Sequence, residues 1–136
     1  MTQGLHVFRW TVAIRIGEAM MRLQLKRVYE QPADIDGSRI LVDRLWPRGL
    51  SKAEAKIDFW AKDVAPSNEL RHWYQHEQEK WPEFQRKYLA ELQSNPGPVQ
   101  ELIAKIGHGN ATLLFSSKEA DLNNAAVLKE YLETLL

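Results

Sequence analysis

The chain has 136 residues, of which 44% are hydrophobic and 26% charged, a composition typical of one globular domain with its own core. The formal net charge is zero, which argues against nonspecific nucleic-acid binding because such binding requires a basic surface. There is no cysteine, so disulfides, thiol nucleophiles and thiolate metal ligands are excluded, and the composition fits a cytoplasmic protein.

The N-terminal extension differs from the rest of the chain. Apolar and polar residues alternate over residues 8–16, which is a strand pattern, and two arginines in this stretch argue against a signal peptide. No stretch of the chain approaches the roughly 20 apolar residues of a membrane span. Met20 and Met21 offer alternative starts. Residues 1–20 are therefore interpreted either as an extra edge strand or as a disordered tail from an upstream start, ahead of one domain over residues 21–136.

Two strands are predicted in the first part of this domain. Residues 22–29 alternate between apolar and polar positions, which predicts a strand with one face partly exposed. A turn-rich connection over residues 31–37 follows. Residues 40–42 are a continuous apolar run, which predicts a strand buried on both faces, and the strand must stop before Pro47.

The segment after this strand allows two interpretations. Ser51 and Glu54 form a capping box, which predicts the start of a helix. In the first interpretation the helix is long, with its apolar positions at Ala53, Ile57, Trp60, Ala61 and Val64. In the second the chain is extended, with apolar residues alternating at Ile57, Phe59 and Ala61. Either element ends at Ala65, because the residue before a proline is disfavoured in a helix.

Three further helices are predicted between this segment and the last strand. Ser67 can cap the first of them, which should end around residues 75–77. Trp81 begins the next, with a proline in its first turn. Residues 94–98 break that helix, and the short helix after them should stop at Gly107.

The C-terminal part completes the fold. Residues 111–115 predict a second buried strand, and Asp121 is predicted to cap the final helix. Strands separated by helices are typical of parallel sheets with right-handed crossovers. The sequence therefore predicts a single α/β domain with a small, mostly parallel sheet flanked by α-helices.

Charged and amide side chains follow both buried strands. Arg44 and Arg48 come after the first strand, and the second is followed by Lys118, Glu119, Asp121, Asn123 and Asn124. If the strands are parallel neighbours, both groups meet at one sheet edge, where ligands of open α/β sheets bind. Guanidinium groups and a helix N-terminus both favour anions. The pattern predicts a site for a small anionic ligand, phosphate-bearing or nucleotide-like.

These residues are assigned different roles in the predicted site. Arg44 and Arg48 bind anionic oxygens, while Lys118 and Asn124 orient them. Trp46 lies between the two arginines and either stacks on a ring of the ligand or covers the sheet edge. Asn123 is placed with them at the start of the last helix.

Asp43 and Glu119 are the candidate acid–base groups, provided that burial raises the pKa of one of them. A purely structural interpretation is equally open. In it, Asp43 and Arg44 form ion pairs that pin the loop, and the asparagines cap the helix. The sequence does not decide whether the protein is an enzyme.

Other chemistry has weaker support. His72 and His76 share a helical face, but a third metal ligand is missing nearby, so they are interpreted as surface histidines and no metal or cofactor is predicted. Ser116 and Ser117 lack the glycines of a nucleophile elbow, so a hydrolase triad is not predicted.

Several blocks of the sequence carry a specific pattern. They are residues 25–29 (LKRVY), 42–49 (VDRLWPRG), 60–67 (WAKDVAPS), 69–74 (ELRHWY), the aromatic positions Trp81, Phe84 and Tyr88, and residues 123–128 (NNAAVL). These blocks resemble the YeaO-like branch of the domain of unknown function 488 family. The resemblance extends from Met21 to the C-terminus, which favours the upstream-start interpretation of the extension.

The resemblance implies a small cytoplasmic bacterial α/β protein without an established activity. The matched site positions are Asp43, Arg44, Trp46, Pro47, Arg48, Lys62 and Asn124, so the resemblance adds Lys62 to the predicted ligand-binding residues. More distant family members often have a cysteine and histidines after the last strand. This chain has lysine, aspartate and asparagines there, so thiol chemistry is not implied for it.

Two other classes of function stay open. A nucleic-acid-binding role requires a single basic face formed by Lys26, Arg27, Arg44, Arg48 and Lys62. A protein-interaction role requires an exposed apolar face, which the N-terminal strand would provide. Membrane association is not predicted, and the sequence does not indicate an oligomeric state.

Overall fold

The computed structural model of the protein describes residues 13–16 and 19–136, in which a five-stranded sheet is the central element. Its strands are β1 (Ala13–Ile16), β2 (Ala19–Arg27), β3 (Ser38–Leu41), β4 (Phe59–Trp60) and β5 (Asn110–Phe115). The strand order is β1-β2-β5-β3-β4, with β1 antiparallel to β2 and all other neighbours parallel. The predicted α/β domain with a mostly parallel sheet is confirmed.

Five α-helices accompany the sheet in the described part of the chain. They are α1 (Lys52–Ala55), α2 (Asn68–Tyr74), α3 (Trp81–Gln93), α4 (Pro96–Ile106) and α5 (Asn124–Leu135). Helices α2 to α5 contribute to the main apolar core together with one face of the sheet. A smaller cluster around Leu41 and Leu114 lies on the other face, where the loops after β2 and β3 cover it. None of the described helices is long and apolar enough to cross a membrane.

The two strands predicted to be buried on both faces are the centre of the sheet. Ile40, Leu41 and Val42 are 0% exposed, and so are Leu113 and Leu114 in β5. β3 and β5 are parallel neighbours, with Ile40 opposite Leu113. Their carboxyl ends therefore meet at one sheet edge, as the predicted site requires.

The predicted helix starts and stops are largely confirmed. The Ser51 and Glu54 capping box is present, and the Ser67 hydroxyl accepts a hydrogen bond from the amide N–H of Leu70 at 3.0 Å. Helix α2 ends at Gln75, which has a left-handed backbone (φ 48°), and α4 ends at Gly107 (φ 66°).

The long helix predicted to continue to Val64 is wrong. Helix α1 makes a single turn and ends at Lys56, whose backbone is left-handed (φ 49°). Asp58 then bonds to the backbone of Arg39 twice, through its amide N–H and through its carboxylate, both at 2.8 Å. These contacts align Phe59–Trp60 with β3 as β4, so the extended interpretation is confirmed for these residues.

The N-terminal extension is described only in part. Residues 13–16 form β1, which pairs with residues 19–22 of β2 as an extra strand at the sheet edge. The remainder of the strand predicted over residues 8–16 lies outside the described residues.

A buried charge network fixes the connection from β2 to β3, which crosses over β5. Asp36 is 2% exposed and forms ion pairs with Lys26 (3.0 Å) and Arg39 (2.5 Å). The Arg39 guanidinium also donates to the carbonyl of Ala55, and the Thr112 hydroxyl donates to the Asp36 carbonyl at 2.7 Å. The network therefore joins β2, β3, β5 and the end of α1.

Gly37 allows this connection to enter β3 close to β5. Its backbone has φ 64°, and a Cβ added there would lie 2.1 Å from the carbonyl oxygen of Asn110. Only glycine fits both the conformation and the contact.

We expect Asp36→Asn to lower the free energy of unfolding by about 3 kcal/mol, because it leaves the buried Arg39 charge without its carboxylate. Urea denaturation measures this change. Asp34→Asn is the matched control, since Asp34 is an exposed acid in the same turn. Equal losses in the two variants would contradict the role of the network.

The same pair of variants tests a pH dependence. Burial would raise the pKa of Asp36, but hydrogen bonds from Ala33, Lys26 and Arg39 outweigh burial and lower that pKa. The stabilisation is thus fully present above the unfolded pKa of about 3.9 and is lost as pH falls through the lower folded pKa. This acid-sensitive part of the stability should disappear in Asp36→Asn and persist in Asp34→Asn.

A buried tyrosine attaches the segment before α2 to α3. Tyr88 is 0% exposed, and its hydroxyl donates to the carbonyl of Val64 at 2.6 Å. Glu91, one turn further along α3, accepts hydrogen bonds from the amide and the hydroxyl of Ser67. Burial raises the pKa of Tyr88 well above its ordinary value, so the hydroxyl stays a donor.

We expect Tyr88→Phe to cost about 1–3 kcal/mol of unfolding free energy, since the buried Val64 carbonyl loses its partner. Tyr131→Phe makes the same chemical change on a partly buried ring of α5 and should cost less than about 0.5 kcal/mol. Denaturation of both variants is the test, and a Tyr88→Phe protein as stable as the control would contradict this assignment.

Candidate functional site

A pocket of about 770 Å³ lies at the carboxyl ends of β2, β3 and β5. Its lining includes eight of the nine predicted site residues, of which seven are Asp43, Arg44, Trp46, Arg48, Lys118, Glu119 and Asn124. Asn123 also lines it, whereas Lys62 does not. The volume falls in the range of about 300–1,000 Å³ that is usual for small-molecule sites.

Asp43 ties together the elements that form the pocket. Its Oδ2 accepts hydrogen bonds from the amide N–H (2.9 Å) and the hydroxyl (2.7 Å) of Ser116. Its Oδ1 accepts one from Nδ2 of Asn124 at 3.1 Å, and the same Nδ2 donates to the Val42 carbonyl. The ends of β3 and β5 and the first residue of α5 are thus held by one carboxylate.

Arg44 does not form the ion pair with Asp43 that the structural interpretation required. Its Nε and Nη2 donate to the carbonyls of Pro66 and Ala65, both at 3.0 Å. The third nitrogen, Nη1, has no hydrogen-bond partner in the described chain and is not sealed from solvent. Arg44 is therefore fixed by neutral carbonyls, and its charge is not neutralised by them.

Arg27 is held in the same way at the end of β2. Its Nε donates to the carbonyls of Ser116 (3.2 Å) and Ser117 (3.0 Å). The guanidinium lies 4.8 Å from the ring centre of Tyr29, a cation–π distance. The Tyr29 hydroxyl in turn donates to the carbonyl of Arg48 at 2.8 Å, which anchors the loop after β3.

Asn123, not Asp121, is the N-cap of α5, so the predicted cap is corrected. Its Oδ1 accepts from the amide N–H of Ala126 (2.9 Å), and its Nδ2 donates to the carbonyls of Glu119 and Ala120. Asn123 is 3% exposed. Asp121 is too early in the chain to cap, because the helix begins three residues later.

Trp46 covers the sheet edge in this structure. Its ring packs against the cluster of Leu41 and Leu114 and meets Trp60 edge-on at 5.5 Å. Its indole N–H donates to the carbonyl of Leu50 at 2.7 Å. Lys62 lies away from the pocket with its ammonium 5.1 Å from the Trp60 ring.

Positive charge is concentrated at the pocket although the chain as a whole is neutral. Five cationic side chains line it, namely Arg27, Arg44, Arg48, Arg71 and Lys118, against the carboxylates of Asp43 and Glu119. None of the five forms a salt bridge within the described residues, whereas lysines and arginines elsewhere do. Arg48 and Lys118 are exposed.

Two aromatic residues of the main apolar core also line the pocket. Tyr74 and Phe84 are 6% and 3% exposed, with ring centres 4.4 Å apart. His76 lies next to them in a left-handed conformation (φ 59°), beyond the end of α2. No group of His, Asp and Glu in the described part of the chain is arranged to hold a metal ion.

Three of these pocket residues were missed for different reasons. Arg27 ends a strand beside β5, so the rule that selected Arg44 and Lys118 would also have selected it. Arg71 and Tyr74 are one helical turn apart on α2, and only the packing of that helix brings them to the pocket.

Fold and pocket together define an α/β protein with a cation-lined pocket at the carboxyl ends of parallel strands. The chain belongs to the domain of unknown function 488 family, since residues 22–136 match the subfamily described as "Inactive DUF488-N3 subclade". This confirms the resemblance to YeaO-like proteins.

Curated relatives cover nearly the same region. The chain is 41% identical to the uncharacterised protein YeaO of Escherichia coli over 115 residues, which are 85% of this chain and 100% of that protein. It is 40% identical to an uncharacterised protein of Mycobacterium tuberculosis over 111 residues, 82% of this chain and 93% of the relative. No solved structure shows significant similarity.

We expect Asp43→Asn to lower the free energy of unfolding by about 1–3 kcal/mol. In the wild type, Ser116 and Asn124 donate to the two carboxylate oxygens, and the variant replaces one of these acceptors with an NH₂ donor. Glu119→Gln is the control: the same change on an exposed carboxylate of the pocket should cost less than about 0.5 kcal/mol. Urea denaturation compares them. An Asp43→Asn protein as stable as the control would show that the fold does not depend on the hydrogen bonds of the Asp43 carboxylate.

Proposed function

We propose that this protein binds a small phosphate-bearing molecule in the pocket at the carboxyl ends of β2, β3 and β5. The observation that carries the proposal is that five cationic side chains line one pocket of a neutral chain and form no salt bridge with any residue that the structure describes. Like charges brought together repel one another, so an anionic ligand would relieve the repulsion. Guanidinium groups suit phosphate, because their planar donors match its oxygens.

Arg27 and Arg44 support this proposal through the way they are held. Both guanidinium groups are positioned by backbone carbonyls, which fix their place without cancelling their charge. A site whose donors are already in position loses less entropy on binding. Arg48 and Lys118 stand exposed at the rim and supply charge that a ligand can meet first.

The surroundings of Asp43 and Glu119, the two acid–base candidates, favour a binding function over a catalytic one. Both oxygens of Asp43 accept hydrogen bonds that hold the fold, and Glu119 is exposed. The word "inactive" in the subfamily description agrees with this choice. A cytoplasmic location is part of the proposal, and the cysteine-free composition fits it.

The test is a thermal-shift and calorimetric screen of the full chain with inorganic phosphate, ribose 5-phosphate and nucleoside 5′-phosphates. A ligand at about 100 times its dissociation constant adds about 2.7 kcal/mol of stability, which is a shift of several degrees. We expect at least one phosphate compound to bind, and its affinity to fall as the ionic strength rises.

Arg48→Ala/Lys118→Ala removes two charges without removing a hydrogen bond of the fold. We expect the variant to lose about tenfold or more in affinity, because contacts to charged groups are worth about 1.5–3 kcal/mol each. Lys52→Ala/Lys105→Ala removes two exposed charges outside the pocket and should bind like the parent. Absence of binding by every phosphate compound, or equal affinity in the two variants, would refute the proposal.

A further inference from the structure

The inner wall of the pocket is aromatic and differs from its charged rim. The Tyr74 and Phe84 rings are 4.4 Å apart, with an interplanar angle of 30°, and Trp81 packs against both, 5.4 Å from Phe84 and 6.0 Å from Tyr74. Tyr74 and Phe84 are nearly buried, yet both line the pocket. Packing therefore holds this wall rigidly in place.

The Tyr74 hydroxyl is a donor without a partner among the described residues, and it is not sealed from solvent. Tyr74 is 6% exposed, and its hydroxyl makes no hydrogen bond with any residue that the structure describes. The other buried or anchored hydroxyls are paired: Tyr88 donates to the carbonyl of Val64, and Tyr29 to that of Arg48. Because this oxygen is not sealed from solvent and Tyr74 lines the pocket, an acceptor group of a bound ligand can take its hydrogen bond.

The electrostatic surroundings keep this hydroxyl protonated. Burial raises the pKa of Tyr74, and the negative charge of Glu119 raises it further. The group is then a hydrogen-bond donor at neutral pH. Arg71, one turn earlier on the same helix, also lines the pocket and brings a cation close to the aromatic wall.

We propose that the pocket takes a nucleoside 5′-phosphate, with the base against Tyr74 and Phe84 and the phosphate among the cations of the rim. A ring nitrogen or carbonyl oxygen of the base accepts the hydrogen bond from the Tyr74 hydroxyl. This assignment rests on the proposed phosphate binding and adds the chemical class of the ligand. Inorganic phosphate and sugar phosphates would leave the aromatic wall and its donor uncovered.

In the proposed binding mode a single ligand contacts the aromatic wall with its base and the cations of the rim with its phosphate. Only small parts of the Tyr74 and Phe84 rings face the pocket, so they offer a flat base apolar contact rather than a full stacking surface. This contact does not distinguish one base from another. The hydroxyl narrows the choice to bases that present an acceptor at its position. The pocket volume of about 770 Å³ is large enough for a mononucleotide.

The test compares ribose 5-phosphate with the four common ribonucleoside 5′-monophosphates by calorimetry on the full chain. We expect at least one mononucleotide to bind ten times more tightly than ribose 5-phosphate. Tyr74→Phe should weaken that mononucleotide about fivefold or more while leaving ribose 5-phosphate unchanged. Tyr131→Phe, outside the pocket, should change neither.

The outcomes separate this inference from the function on which it rests. Equal binding of ribose 5-phosphate and every mononucleotide would overturn the nucleotide assignment and leave phosphate binding intact. Failure of all phosphate compounds to bind would overturn both. An unchanged mononucleotide affinity in Tyr74→Phe would refute the role of the hydroxyl; the melting temperature of this variant should not fall, because no hydrogen bond of the fold is lost.

A nucleoside 5′-phosphate is found free or at the end of a nucleic-acid strand. A 5′-phosphorylated dinucleotide distinguishes these sources. We expect it to bind more weakly than the free mononucleotide, because its second nucleotide must leave the pocket. Equal or tighter binding would overturn the assignment to a free mononucleotide.

Discussion

The hydrogen bonds of the Asp43 carboxylate are the contacts on which the pocket depends. Pairing between β3 and β5 fixes the strands but not the loops that leave them. Asp43 joins those loops directly, because it accepts from both donors of Ser116 and from Asn124. Since Asn124 begins α5, the same carboxylate sets where the helix starts relative to the sheet. Arg44 directly follows Asp43, and Lys118 comes two residues after Ser116, so these hydrogen bonds lie beside both cations.

Arginine side chains have two opposite roles in this protein. Arg39 is buried and paired with Asp36, and it bonds to carbonyls at the end of α1, so its charge serves the fold. Arg27 and Arg44 also bond to carbonyls, but neither forms a salt bridge within the described residues. The presence or absence of a paired carboxylate therefore separates a structural arginine from a candidate binding arginine, and the sequence does not display that difference.

The sequence was sufficient to predict the two central strands of the sheet and the location of the pocket. Residues 40–42 are apolar without interruption and residues 111–115 are apolar except for Thr112, a pattern typical of strands covered on both faces. Their parallel pairing brings the polar segments after both strands together. The helix expected up to Val64 failed because its apolar spacing also fits an extended chain, and the long-range bonds of Asp58 to Arg39 decided between them. Arg71 and Tyr74 entered the pocket through helix packing, which local patterns do not contain.

The pocket combines fixed and adaptable charges. Arg27 is held by the carbonyls of residues 116 and 117, a segment that the hydrogen bond from Ser116 to Asp43 fixes. Arg44 is held by the carbonyls of residues 65 and 66, next to the hydrogen bond from Ser67 to Glu91 of α3. Arg48 and Lys118 have no such support and keep their side-chain freedom. Fixed donors define one binding geometry at a low entropic cost, whereas free ones at the rim adjust to the ligand after it enters. The inner charges should therefore govern which ligand fits, and the outer ones how readily it is captured.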